Sequence, residues 1–175
     1  MALNEKSFDA VTLAAAAEQA GVSTQTVVNH FGSKSGLFAA VARERFLPWV
    51  AGLRGVPPHG DIDAAVAAVF AEYEVAGAAV MRGIAIADRN PLIAEGLEGG
   101  GRYHREWVCR AFAAQLAAAA ESDREDTAEL LATALDVRTW SLLRDGGRIS
   151  EDVAQARMRR LVLGVLRTVA DHPEG

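Results

Sequence analysis

Residues 8–41 read FDAVTLAAAAEQAGVSTQTVVNHFGSKSGLFAAV, and the punctuation of this stretch decides how the chain is organised. The Thr12 hydroxyl is of the kind that caps helices, the alanines behind it favour helix, and Gly21 tolerates the left-handed backbone that ends one. A helix over about residues 12–20 is expected. Ser23 offers a second cap for residues 24–31, and Gly32-Ser33 closes that segment before a longer helix from Lys34 to about Leu47. Two helices joined by Gly21, Val22 and Ser23 form a helix-turn-helix. Small Ala16, Ala17 and Ala20 let the helices cross closely, while Val22, Val27 and Phe31 fill the angle between them. Thr24, Gln25, Thr26 and Asn29 then face outward, short polar side chains suited to base edges or phosphates in a major groove.

The rest of the composition fits an all-α chain. Of 175 residues 50% are hydrophobic and 23% charged, enough to bury a core, and no strand signal competes with the helical spacing. Residues 48–61 are dense in Pro and Gly and read as a linker between an N-terminal head, residues 1–47, and a C-terminal helical domain, residues 62–175. The single cysteine excludes an internal disulfide framework and a Cys-based zinc site. The opening MALNEKSFDA lacks the pattern of an export signal, and no stretch has 18 uninterrupted apolar residues, so a soluble cytoplasmic protein without membrane association is expected. Net charge is −5, yet residues 1–46 balance to neutrality and the excess lies beyond them. There is no G-x-S-x-G, H-E-x-x-H or P-loop, and His30, His59, His104 and His172 are scattered. Catalysis, a metal and a cofactor are not expected.

Beyond the linker, Asp61 can cap a helix with Ile62, Val66, Val69, Phe70 and Tyr73 at 3- and 4-residue steps. It is expected to bend near Gly77 and to stop at Asn90-Pro91. A short turn at Leu92–Leu97, a flexible joint at Gly99-Gly100-Gly101, and helices over about 103–120, 126–145 and 151–170 complete the pattern. The last helix carries a stripe of Met158, Leu161, Val162, Val165, Leu166 and Val169. The one before it presents Leu131, Leu135 and Leu142. That much apolar surface on two terminal helices asks for a cover, and the same pair from a second chain is the simplest one. Tyr73, Met81, Tyr103 and Trp107, with Cys109, Phe112 and Trp140, are candidates to line an apolar cavity with a few polar handles. Cys109 itself reads as a small hydrophobe.

The F-D-A-x-T opening, the A-x-x-A-G-V-S turn, the x-T-x-x-x-H-F helix and the S-K-x-x-L-F start of the next helix together resemble the DNA-binding segment of the TetR-type (tetracycline-repressor) family of bacterial transcriptional regulators. Weaker likenesses are YHREW at 103–107 and WSLLRDGGRIS from Trp140. The resemblance implies a homodimer that binds a double-stranded DNA operator through its head and a small-molecule effector, expected to be hydrophobic, through its C-terminal helices. Thr12 and Lys34 would hold phosphates at two helix N-termini, and His30 would contact backbone. Thr24, Gln25, Thr26, Val28 and Asn29 would face the groove, Gln25 and Asn29 as base readers because an amide pairs bidentately with adenine. Val28 stands where the family frequently has Tyr, removing one hydroxyl contact. Only MALNEKS stands where the family has a first helix, so that helix is expected to be missing or vestigial and DNA binding weakened. A dimerising small-molecule-binding module with degraded DNA binding is the alternative.

Overall fold

The structure, a computed structural model, describes residues 11–57 and 59–170, without the side chains of residues 42, 169 and 170. The expectation that the family's first helix is missing or vestigial therefore falls on residues outside those described. Every regular element among the described residues is helical: α1 (Leu13–Ala20), α2 (Thr24–Phe31), α3 (Lys34–Val41), α4 (Leu47–Arg54), α5 (Ile62–Ile86), α6 (Pro91–Ala111), α7 (Ala113–Ala118), α8 (Arg124–Ala134), α9 (Val137–Arg144) and α10 (Glu151–Ala170). A π-helical turn, Ala42–Phe46, joins α3 to α4. The chain divides into two compact units. Unit one is Met1–Val50 with Ala79–Gly99, and unit two is Ala51–Ala78 with Gly100–Gly175.

In unit one the local signals fix the first helices. The Thr12 hydroxyl accepts from the Ala15 amide at 3.1 Å, and Gly21 ends α1 at φ 68°. Gly36 permits the tight join of α2 to α3, since a Cβ there would stand 2.0 Å from the Phe31 carbonyl oxygen. The end of α5 and the start of α6 belong to the same unit. At their turn Asn90 is buried, accepts from the Ile93 amide, and donates from Nδ2 to Ser35 Oγ at 3.2 Å.

Unit two buries Val66, Val69 and Phe70 of α5 with Trp107 and Val108 of α6, Leu131 of α8, and Met158 and Val162 of α10. Set into this apolar packing is a polar cluster centred on Arg54. Its Nε and Nη2 bond the two Glu72 oxygens, Nη2 also donates to Tyr73 Oη at 3.2 Å, and Nη1 donates to His104 Nδ1 at 2.8 Å. The rings of Tyr73, Tyr103 and Trp107 surround the guanidinium at 5.3–5.9 Å. Arg54 and Glu72 are only 5% and 3% exposed, a charge pair that is tolerated inside because nearly every donor and acceptor is used.

Several expected boundaries are corrected. The helix after Lys34 does not end near Leu47: it continues through the π turn into α4, so the stretch read as linker is helical to Arg54. α5 does not break at Gly77, which is buried in the middle of the helix with the Trp140 indole against it. Gly99-Gly100-Gly101 lies inside α6. Three helical glycines cost about 3 kcal/mol against alanine, and burial of Trp107, Val108 and Ala111 on the same helix outweighs that. The segment 126–145 divides instead at Leu135-Asp136, where the Asp136 carboxylate accepts from the Arg138 amide at 2.8 Å and starts α9. Among the described residues one helix, continued by a short turn over Ile62–Arg89, is long and apolar enough to cross a membrane by length and composition. Of its apolar residues, Val66, Val69 and Phe70 are buried in the core of unit two.

Candidate nucleic-acid interface

α2 is short, amphipathic and capped at both ends. Ser23 accepts from the Thr26 amide at 3.0 Å, its hydroxyl also bonds the Thr26 hydroxyl at 2.8 Å, and the Gly32 amide returns to the Val28 carbonyl. Ser23 therefore occupies the Thr26 side chain in holding the helix start. Val27 is buried and Phe31 half-buried, turned to the packing with α1 and α3, whereas Val22, expected to fill the same angle, is 44% exposed. Thr24, Gln25, Thr26, Asn29 and His30 are exposed and Val28 is half-exposed. Gln25 Nε2 donates to Asn29 Oδ1 at 2.7 Å, an i,i+4 pair on one face of the helix. The His30 ring meets Phe31 edge to face, with centroids 4.6 Å apart.

Thr12 caps α1 and is exposed, and Lys34 opens α3 half-buried. The eight expected DNA contacts thus fall on three successive helix starts and one helix face within unit one, all with surface available. Helix N-termini carry partial positive charge and unsatisfied amides, which suits them to phosphate oxygens.

The residues expected to line an effector cavity fall in both units. Met81 belongs to unit one and the others to unit two. Tyr73, Trp107 and Phe112 are core residues, with Trp107 Nε1 donating to the Gly55 carbonyl at 3.0 Å and Tyr73 Oη taken by Arg54. Tyr103 and Trp140 are half-buried, and Cys109, read as a small hydrophobe, is exposed, off the buried stripe of α6. A cleft of about 310 Å³ lies elsewhere in unit two, between α5 and α10, lined by Asp63, Val66, Asp152, Gln155, Ala156 and Arg159.

The expected dimer stripe is also divided. Leu131, Leu135, Met158 and Val162 are fully buried within their own unit and offer a partner no surface. Their burial follows from α8 and α10 packing on each other. Leu142 is 80% and Leu161 45% exposed, Val165 and Leu166 are half-buried, and the Val169 side chain lies outside the described residues.

Reading the residues singly missed the Arg54 cluster. Its signal was present: Glu72 interrupts the apolar row of α5 beside Tyr73, and His104 sits one turn before Trp107 on the buried stripe of α6.

The family model described as bacterial regulatory proteins, tetR family, matches residues 1–41. No curated protein and no solved structure matches the chain. The match covers the whole of α1, α2 and α3, so the head of this chain, with its capped and exposed α2, is similar to the helix-turn-helix of that family of bacterial regulatory proteins.

Proposed function

We propose that the chain is a cytoplasmic, ligand-responsive transcriptional regulator, a repressor that acts as a homodimer on a palindromic operator. The observation that carries this reading is the α2 face: Thr24, Gln25, Thr26 and Asn29 stay in solvent while Val27 anchors the helix from behind. Thr12, His30 and Lys34 hold phosphates beside it, and Val28 lies over the groove wall. Phosphate contacts set register and the groove-facing amides set sequence.

Pairing is supported by the exposed apolar residues of the last helices, Leu130, Leu142, Val153 and Leu161, which a second copy would cover. A two-fold particle places two α2 helices in successive major grooves about one DNA turn, or a multiple of it, apart. An effector that prefers another spacing shifts the population away from DNA, and a coupling of about 1–3 kcal/mol gives a graded response. Tyr103 and Trp140, the rings of the expected set that keep some exposure, are where an apolar effector would enter.

The test is selection of a duplex from a random pool by the full chain, followed by a salt titration of the selected site. Lys34→Ala is expected to lower affinity evenly across sequences and to reduce the salt slope by about one unit per subunit. Binding without sequence preference, or a slope unchanged by Lys34→Ala, overturns the assignment.

A further inference from the structure

Two exposed amides on a recognition helix are ordinarily counted as two base readers. In this chain the two are bonded to each other. Gln25 Nε2 donates to Asn29 Oδ1 at 2.7 Å, which engages one lone pair of the Asn29 carbonyl and ties the orientation of the two amides together. Gln25 keeps its own carbonyl and one N–H. We infer that Gln25 and Asn29 act as a single reader of one A·T pair, with Gln25 touching the adenine and Asn29 acting as the positioning residue that fixes the Gln25 amide plane.

The chemistry selects the base. Adenine offers N6–H as donor and N7 as acceptor in the major groove. The Gln25 carbonyl accepts from N6–H and its remaining amide hydrogen reaches N7. Guanine offers two acceptors, O6 and N7, and would set O6 against the Gln25 carbonyl oxygen. Of the threonines beside Gln25 in the first turn, Thr26 has its hydroxyl bonded to Ser23. Pre-orientation also restricts the long Gln side chain before binding, which lowers the ordering cost at the interface.

This inference rests on the DNA-binding reading, and its test separates the two. The full chain, Gln25→Ala, Asn29→Ala, the double variant and Asn29→Asp are each measured against the selected duplex and against duplexes with single base pairs replaced. Alanine favours helix, so α2 is retained, and circular dichroism checks it. The expected result is that wild type prefers A·T at one half-site position by about 5- to 150-fold. Gln25→Ala and Asn29→Ala both lose that preference at the same position, and the double variant loses no more than Gln25→Ala alone. Asn29→Asp, which keeps the acceptor for Gln25, binds all duplexes more weakly yet retains the preference. Relaxation at two different positions overturns the single-reader proposal and leaves DNA readout standing, as does an Asn29→Ala variant with unchanged preference. Absence of any sequence preference in wild type overturns both.

Discussion

Arg54→Leu tests the energetics of unit two most severely. The guanidinium it removes is bonded to both Glu72 oxygens, to Tyr73 Oη and to His104 Nδ1, and three aromatic rings face it within 5.9 Å. Leucine replaces much of the aliphatic volume and leaves three polar groups without their donor. The largest consequence is the Glu72 carboxylate, 3% exposed, whose counter-ion is gone. Burial already raises the Glu72 pKa above its ordinary range, against the pull of Arg54. Breaking a buried ion pair from one side costs about 3–5 kcal/mol, about a fifth or more of the roughly 5–15 kcal/mol that holds a typical domain together. For a chain of this length each kcal/mol lowers the midpoint by about 2–4 °C, so Arg54→Leu should lower Tm by roughly 6–20 °C. Glu72→Met should cost a similar amount by orphaning the cation. The double variant, with no charge left to strand, should be more stable than the sum of the two losses predicts. Urea unfolding followed by circular dichroism, with thermal melts beside it, measures all four proteins. A single-variant loss below about 1 kcal/mol, or strict additivity in the double, would refute the claim that the pair is desolvated and mutually dependent.

Three further outcomes follow from other contacts. His104 Nε2 lies 2.9 Å from the Ala132 carbonyl and Nδ1 faces the Arg54 donor, so the ring is neutral with its proton on Nε2. Burial, with Arg54 adding to it, holds its pKa below the usual 6.5. The unfolded chain takes up a proton near 6.5 while the folded one resists, so stability falls as pH drops through that value, and the fall should be steeper for wild type than for His104→Gln in denaturant titrations between pH 7.5 and about 5. Gly77→Ala places a Cβ 2.6 Å from Trp140 Cζ3 and pushes the indole off its 2.7 Å bond to Glu74; a loss of about 1–3 kcal/mol is expected by denaturation, with altered Trp fluorescence. Gly36→Ala sets a methyl against the Phe31 carbonyl oxygen at 2.0 Å, which no rotamer relieves, and should weaken binding to the selected duplex at least about tenfold, a shift of about 1.4 kcal/mol.

What could be read from the residues alone was what is local. Thr12, Ser23 and Asp61 cap within three residues of themselves, and the structure places helices behind all three. Thr24 to Asn29 were legible as an outward face because Val27 and Phe31, at four-residue spacing, mark the inward one. The misread boundaries depend on distant partners. Gly77 looks like a break until Trp140, 63 positions later, is seen to need its missing side chain. The glycines at 99–101 look like a joint until the buried stripe of α6 is known. Apolar periodicity marks a buried face without saying which chain covers it, so Leu131 and Met158, buried in their own unit, looked the same as Leu142, which is not. The Arg54 cluster joins residues 18, 19 and 50 positions apart, and only an unexplained Glu72 and His104 on apolar faces pointed to it.

The central claim is that the exposed face of α2 is what enters the DNA. Amide-resolved NMR of the full chain, titrated with the selected duplex, addresses it most directly. The account predicts that the largest shifts cluster at residues 23–34 and at Thr12, with the side-chain amides of Gln25 and Asn29 among the most perturbed. Sequence-specific binding with those resonances unmoved, and the shifts gathered on α8 to α10 instead, would contradict it.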